Sequence, residues 1–143
     1  LFQCMRTILE VMRKSVTSMW TVSSWEESPT GELHEGQKIT RAKVVKAYSG
    51  DMEGEGVVEY IMAYFTESEA EFLGVEYFNG TIGGRAGSFM LRHTGTFAAG
   101  VVNSVWEVVS GSGRGDLKRI SGTVHFAAGH QTEYQIEFEY ELQ

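Results

Sequence analysis

Cysteine and proline are scarce in this sequence, and long apolar runs are missing. The 143 residues include a single cysteine, Cys4, so no disulfide can form within the chain, and a reducing, cytoplasmic location is expected. One proline against 17 glycines indicates that turns are built mainly from glycine. No apolar stretch approaches the roughly 18 residues of a membrane helix, and no signal-peptide cleavage pattern is present, so we expect no membrane partner.

Basic residues are also in deficit. Twelve Lys and Arg against 19 Asp and Glu give a net charge of -7. Such a surface repels phosphate backbones, so nucleic acid is not an expected partner. The four histidines lack metal-ligand spacing, and we expect neither a metal nor a cofactor.

The chain is rich in period-two alternation of apolar and polar residues, which is typical of half-buried strands. Near the C-terminus, Tyr134, Ile136, Phe138, Tyr140 and Leu142 alternate with polar residues, mostly glutamates. This last strand and seven earlier ones are predicted, the seven being Thr17–Glu26, Ile39–Ser49, Glu55–Thr66, Glu69–Asn79, Ala86–Phe97, Gly100–Ser110 and Ile120–Ala128. Short glycine turns favour antiparallel neighbours, and closure would remove the exposed edges. The pattern therefore predicts an all-β, closed, eight-stranded antiparallel barrel, with a two-sheet sandwich as the alternative.

Helices are expected in two places at most. In residues 1–16, apolar side chains recur at helical spacing, which predicts a short amphipathic helix unless the segment is a remnant of an engineered protease site. In the glycine-rich connection Gly111–Arg119, Asp116 could cap a single helical turn. We therefore divide the chain into an N-terminal extension, residues 1–16, and one barrel domain, residues 17–143.

From Thr17 onward, the order of short motifs resembles a bacterial family of uncharacterised proteins, the domain of unknown function 3224 family. The motifs are Ser24-Trp25-Glu26-Glu27, Ile39-Thr40-Arg41-Ala42, Tyr48-Ser49-Gly50-Asp51, Glu53-Gly54-Glu55-Gly56, Gly80 through Phe89, His93-Thr94-Gly95-Thr96-Phe97, Gly111-Ser112-Gly113 and Gly115-Asp116-Leu117. The resemblance implies a closed barrel similar to allene oxide cyclase and a family without an established activity. A shared fold does not by itself imply a shared function.

Three ionisable residues lie on faces that alternation assigns to the barrel interior. His93 shares its face with Phe89, Leu91 and Phe97, and could act as an acid or base; the alternative is a core histidine held by one hydrogen bond. Lys46 needs a carboxylate partner if it is buried and charged. Glu76 is the first candidate and Glu59 the second. A Lys46–Glu76–His93 cluster is thus a candidate catalytic site or a structural ion pair.

Aromatic residues are candidates for the wall of a ligand cavity, because an eight-stranded barrel is just wide enough to be filled by side chains or to hold one small molecule. The candidate ligand-binding residues are Trp20, Tyr48, Tyr60, Tyr64 and Trp106. Trp25, Val75 and Tyr77 are expected on the outside, where an apolar band would favour a homodimer or larger homo-oligomer.

Three functions are compatible with these observations. The first is a barrel that binds a small, mostly apolar ligand in its interior. The second is a cyclase or isomerase that steers a substrate with buried polar groups. The third is a structural or assembly module with a filled barrel. An interior cavity would separate the first two from the third, and turnover would separate the second from the first.

Overall fold

A computed structural model describes residues 12–143 of the protein. These residues form strands joined by turns and contain no helix. The strands are β1 (Met12–Glu32), β2 (Lys38–Gly50), β3 (Met52–Thr66), β4 (Glu69–Ile82), β5 (Arg85–Ala98), β6 (Val101–Val108), β7 (Arg114–Gly115), β8 (Ser121–Ala128) and β9 (Tyr134–Leu142).

The sheet is a meander that closes on itself. Each long strand pairs antiparallel with the next one along the chain, in the order β1 to β6, then β8 and β9. Closure comes from β1 and β9, whose register runs from Met12 opposite Leu142 to Trp20 opposite Tyr134. The two-residue strand β7 adds a short pairing on β5. The predicted closed, eight-stranded antiparallel barrel is confirmed, and the sandwich alternative was wrong.

The first strand begins earlier than the sequence pattern indicates. Residues 12–16 belong to β1 and pair with β9, so the C-terminal part of the predicted helix is strand. The reason is tertiary: Val16 is buried in the barrel core, and cross-strand pairing overrides the helical spacing. The domain boundary expected after residue 16 therefore falls inside the strand that closes the barrel. The rest of the predicted helix lies outside the described residues.

The predicted helical turn at Asp116 is also absent, because the connection between β6 and β8 folds as successive tight turns. The backbone amide of Leu117 donates to Arg114 O at 3.2 Å, and that of Ile120 donates to Leu117 O at 3.2 Å. Leu117 is fully buried and Ile120 nearly so, and both belong to the core cluster. The connection therefore closes one end of the barrel with two apolar side chains.

The barrel interior has two parts, which we name by their contents. The closed half lies beside Leu117 and Ile120 and is packed with side chains, including Met52, Phe78, Ile82, Phe89 and Phe138, each of which is at most 1% exposed. Phe89 contacts both Phe78 and Phe138, with ring centroids 5.1 Å and 5.9 Å apart. The open half lies at the opposite end, where the β1–β2, β3–β4, β5–β6 and β8–β9 turns surround a mouth. The ionisable residues predicted to face inward lie between the two halves.

Candidate functional site

Lys46, Glu76 and His93 meet in the middle of the barrel, as the alternation of β2, β4 and β5 predicts. Lys46 Nζ lies 3.1 Å from Glu76 Oε1, and His93 Nε2 lies 2.7 Å from the same oxygen. The three side chains are at most 1% exposed. The structure therefore brings the three candidate catalytic residues together into one buried cluster.

Two tyrosines extend this cluster on opposite sides. The Tyr48 hydroxyl donates to Glu76 Oε2 at 2.5 Å, so both carboxylate oxygens are hydrogen-bonded. On the other side, the Tyr60 hydroxyl lies 3.3 Å from His93 Nδ1. We call these five residues, Lys46, Tyr48, Tyr60, Glu76 and His93, the buried network.

The direction of each hydrogen bond follows from the charge state of Glu76. Burial raises the pKa of Glu76, but the charge on Lys46 and the hydrogen bonds from His93 and Tyr48 outweigh it and hold the pKa at about 2. An ionised carboxylate only accepts hydrogen bonds, so His93 Nε2 carries a hydrogen and donates it. Burial lowers the pKa of His93 to about 4, so the ring is neutral near pH 7. Nδ1 is then a lone-pair acceptor, and the Tyr60 hydroxyl donates to it.

Lys46 is held by one carboxylate and two aromatic faces. Its Nζ lies 4.1 Å from the centroid of the Trp106 ring and 4.3 Å from that of the Trp20 ring. Burial lowers the pKa of Lys46, while the charge and hydrogen bond of Glu76 oppose that effect. Because the carboxylate and the ring faces all favour a cation, this geometry suits the ammonium form. The Lys46–Glu76 pair is then neutral as a whole.

Gly56 provides the space for the carboxylate, and sequence reasoning missed it. A Cβ at this position on β3 would lie 2.0 Å from Glu76 Oε2 and 2.9 Å from Tyr48 Cε2. Any larger residue would displace the network. A glycine at an inward position of an alternating strand is the signal that could have found it.

Above the network, the open half contains a cavity of about 830 Å³. Nine aromatic residues line it: Trp20, Trp25, Tyr60, Tyr64, Phe72, Phe97, Trp106, Phe126 and Tyr134. Small residues leave the room. Ser104 and Ala128 line the cavity, and Gly95 makes room for the ring of Phe72, because a Cβ at Gly95 would lie 2.5 Å from Phe72 Cζ. The barrel is thus filled in one half and hollow in the other.

Trp25 reaches this cavity because of a bulge in β1. The register shifts between Val22, opposite Lys46, and Ser24, opposite Val45, so that Trp25 lies opposite the buried Val44. A bulge turns the following residues to the other face of the strand. Trp25 was expected on the outer surface; it remains 50% exposed but lines the cavity, with its ring centroid 6.4 Å from that of Tyr60.

The same bulge places Glu27 at the mouth, which the sequence analysis did not anticipate. Its Oε2 accepts from the Thr40 hydroxyl at 2.7 Å and from the Tyr64 hydroxyl at 3.0 Å. Its Oε1 accepts from Trp25 Nε1 at 3.1 Å. Glu27 therefore orients two of the aromatic side chains at the entrance.

The predicted ligand-binding residues divide into two groups. Trp20, Tyr60, Tyr64 and Trp106 line the cavity. Tyr48 does not: it is 4% exposed and packs edge-to-face on Phe78, below the carboxylate that it binds. Its phenol belongs to the closed half because inward positions on β2 run from the mouth at Thr40 to the closed end at Tyr48. Glu59, the second candidate partner for Lys46, is exposed on the outer face of β3.

Lys46, Glu76 and His93 do not line the cavity. Trp20, Tyr60 and Trp106 lie at its floor and contact them from above, with the Trp106 ring centroid 4.5 Å from that of His93. Tyr60 is the one member of the buried network that lines the cavity. Any influence of the buried charges on a bound molecule would therefore pass through these three aromatic residues.

The described residues provide no obvious metal site and no membrane-spanning helix. Among residues 12–143, no three or more His, Cys, Asp or Glu side chains are arranged to hold a metal ion. Within the same range, no helix is long and apolar enough to cross a membrane.

Fold and site together define a closed antiparallel β-barrel with an interior cavity above a buried ionic network. The family described as "Protein of unknown function (DUF3224)" matches residues 16–140. The chain belongs to this family, as its motifs predict.

Among the solved structures that share this fold is one from the same family. It is a protein of unknown function of the DUF3224 family from Shewanella oneidensis MR-1, with a TM-score of 0.72 and 22% sequence identity. The alignment covers 94% of this chain and 99% of that one. No curated protein matches the chain significantly.

Proposed function

We propose that this barrel binds one small, mostly apolar molecule in its open half. The observation that carries the proposal is the cavity of about 830 Å³ lined by nine aromatic residues. Ligand pockets are typically concave, about 300–1,000 Å³ in volume and mainly apolar, with a few polar groups that fix orientation. The open half has this size and composition.

The contrast with the closed half supports a binding role. The same strands pack the closed half with fully buried side chains, so the barrel is narrow enough to be filled. In the open half, Ser104 and Ala128 line the cavity at positions where larger side chains would close the space. An unfilled interior forfeits packing energy, and proteins retain such space where it serves function.

The alternative function is a cyclase or isomerase, and one observation favours it. Tyr60 lines the cavity and its hydroxyl bonds to His93, so a residue of the cavity wall is connected to a buried acid–base network. Turnover of a bound compound that disappears in His93→Gln, while binding persists, would establish this activity.

Binding can be tested with N-phenylnaphthylamine, a neutral apolar fluorophore. All three tryptophans of the chain, Trp20, Trp25 and Trp106, line the cavity, so a bound probe should accept their excitation energy. We expect saturable tryptophan-to-probe energy transfer with one probe molecule per barrel.

Adjacent alanines on β8 provide a matched control. Ala128 lines the cavity, and Ala127 is exposed on the outer face. Ala128→Trp should fill the cavity and weaken probe binding by at least about tenfold, equivalent to roughly 1.4 kcal/mol. Ala127→Trp should leave binding unchanged. Equal binding by both variants, or no saturable binding to the parent protein, would contradict the proposal.

A further inference from the structure

Three hydroxyl groups in the cavity wall share one feature: they donate their hydrogens to the protein itself. The Tyr60 hydroxyl donates to His93 Nδ1 at 3.3 Å, and the Tyr64 hydroxyl donates to Glu27 Oε2 at 3.0 Å. Ser104 Oγ donates to the backbone carbonyl of Thr94 at 2.9 Å. Toward a ligand that contacts them, these three oxygens can therefore act only as acceptors, because each has only one hydrogen to give.

For Tyr60, this direction is fixed by the buried network beneath it. Glu76 is surrounded by donors, so His93 must present Nε2–H to it and leave Nδ1 as an acceptor. Tyr60 cannot turn its hydrogen toward the cavity without leaving the buried Nδ1 unpaired. The network thus sets the hydrogen-bond polarity of the cavity floor.

The floor also has one unused donor. Trp20 Nε1–H is buried and has no hydrogen-bond partner among the described residues. Trp20 lines the same cavity as Tyr60 and is 8% exposed. Because Nε1 itself is buried, a ligand in the cavity cannot bond to it without rotation of the indole, and the ligand preference does not depend on this donor.

Together, these groups define a preference that rests on the proposed binding function. We propose that the ligand is a neutral, aromatic or otherwise planar apolar molecule with a hydroxyl group, which donates its hydrogen to the Tyr60 oxygen. A hydroxyl has one hydrogen to give, so it suits the oxygen of Tyr60. A carboxylate has no hydrogen to give, and an ammonium group has no lone pair to offer. An ether lacks the hydrogen.

The Lys46–Glu76 ion pair below the cavity floor also favours a neutral ligand. Lys46 is already paired with Glu76 and already occupies the faces of Trp20 and Trp106. Among the residues that the structure describes, an anion therefore finds no unpaired buried cation at this floor, and a cation finds the two ring faces already occupied by Lys46. A neutral molecule loses the least solvation on entering such a site.

Four naphthalene probes of similar shape test the proposal by isothermal titration calorimetry on the whole protein. They are naphthol, its methyl ether, naphthoate and naphthylmethylammonium. We expect naphthol to bind most tightly, with an advantage over the methyl ether of roughly three- to tenfold, which corresponds to one hydrogen bond. In Tyr60→Phe, naphthol and its methyl ether should bind equally, with the methyl ether unchanged.

Tyr64→Phe is the matched control. It removes a hydroxyl from the same cavity wall, but at the mouth, where the hydrogen bond of Tyr64 to Glu27 is exposed to water. The advantage of naphthol should persist in this variant. Thermal unfolding of both variants shows whether the barrel remains folded, and the comparison of the four probes on the parent protein needs no variant.

The outcomes separate the two levels of the proposal. If the methyl ether matches naphthol, or if naphthoate or the ammonium probe binds most tightly, the hydroxyl preference is wrong although the barrel binds ligands. If the advantage of naphthol survives Tyr60→Phe, the assignment to Tyr60 is wrong. If none of the four probes, nor N-phenylnaphthylamine, binds, the proposed function itself is contradicted.

Discussion

The two halves of the barrel interior use the same strands and reach opposite results. On β5, Phe89 and Leu91 are at most 1% exposed in the closed half, whereas Phe97 borders the cavity at the other end. The β6–β8 connection inserts Leu117 and Ile120 into the closed half. The comparison teaches that strand pairing determines the width of the barrel, while residue size and one connection determine which end is filled.

The largest expected effect concerns the network between the halves. Glu76→Gln removes the only buried carboxylate near Lys46 in the described part of the chain and leaves a buried ammonium without its ionic partner. Breaking a buried ion pair in this way costs about 3–5 kcal/mol. The free energy of unfolding, measured with denaturant, should fall by about that amount.

Glu71→Gln provides the control, because Glu71 lies on the same strand but is exposed. Its effect should stay within about 0.5 kcal/mol. Similar effects for both variants would show that the network does not stabilise the barrel.

The second prediction compares the packing of the two halves by replacing a phenylalanine with alanine at each end of β5. Phe89→Ala should cost about 3–5 kcal/mol, because it leaves a void among packed rings. Phe97→Ala should cost roughly 2 kcal/mol less, because Phe97 already borders an open cavity. Equal losses in denaturant unfolding would mean that the open half is as tightly packed as the closed half.

The third prediction uses pH. The pKa of His93 is lowered to about 4 by burial, below its ordinary value of 6.5, so the unfolded chain binds the proton more readily. The stability that the neutral ring contributes is complete above about pH 6.5 and is lost as the pH falls toward 4. At pH 5 the loss amounts to about 2 kcal/mol.

Glu76 extends this loss to lower pH. Its pKa is held at about 2, below the ordinary 4.5, so its contribution is complete above about pH 4.5 and disappears as the pH falls toward 2. In His93→Phe, the dependence between pH 6.5 and 4.5 should shrink. In His125→Gln, which changes an exposed histidine, it should persist. An unchanged slope in His93→Phe would contradict the assignment.

The smallest expected effect concerns the outer surface. Leu73, Val75 and Tyr77 form an apolar row on β4 and are 57%, 48% and 47% exposed. Association of two copies through this row stays a prediction. We expect sedimentation to show a weak, concentration-dependent dimer that Val75→Lys abolishes without changing the unfolding midpoint. A strict monomer at high concentration would contradict it.

The fold and the buried network could be predicted from the sequence for one physical reason. Period-two alternation assigns each residue to a face, and it placed Lys46, Glu76 and His93 on the same inner side of three strands. Antiparallel registers then bring them to one level. Glycine turns with positive φ, such as Gly83 and Gly84 at 55° and 83°, link these strands closely enough to fix that order.

Alternation could not predict the places where the strands depart from regular geometry. The bulge in β1 reverses the expected orientation of Trp25 and brings Glu27 to the mouth, because one extra residue shifts the side chains that follow it to the other face. Residues 12–16 have helical spacing and are strand, because their partner is β9, far away in the sequence. Alternation also does not indicate the position of a residue along the barrel axis. Tyr48 was therefore grouped with the cavity residues, although it lies in the closed half.

The pairing of β1 with β9 has a consequence for the order of folding. Strand β1 pairs with β2 on one side and with β9, the last strand of the barrel, on the other, where Met12 lies opposite Leu142. Contacts between such distant residues close late and slow the folding of β-proteins. Until β9 docks, the barrel is an open sheet with two unpaired edges, and those edges are the places where one chain can pair with another. During synthesis on the ribosome, the chain must therefore remain exposed in this way until its final strand has emerged.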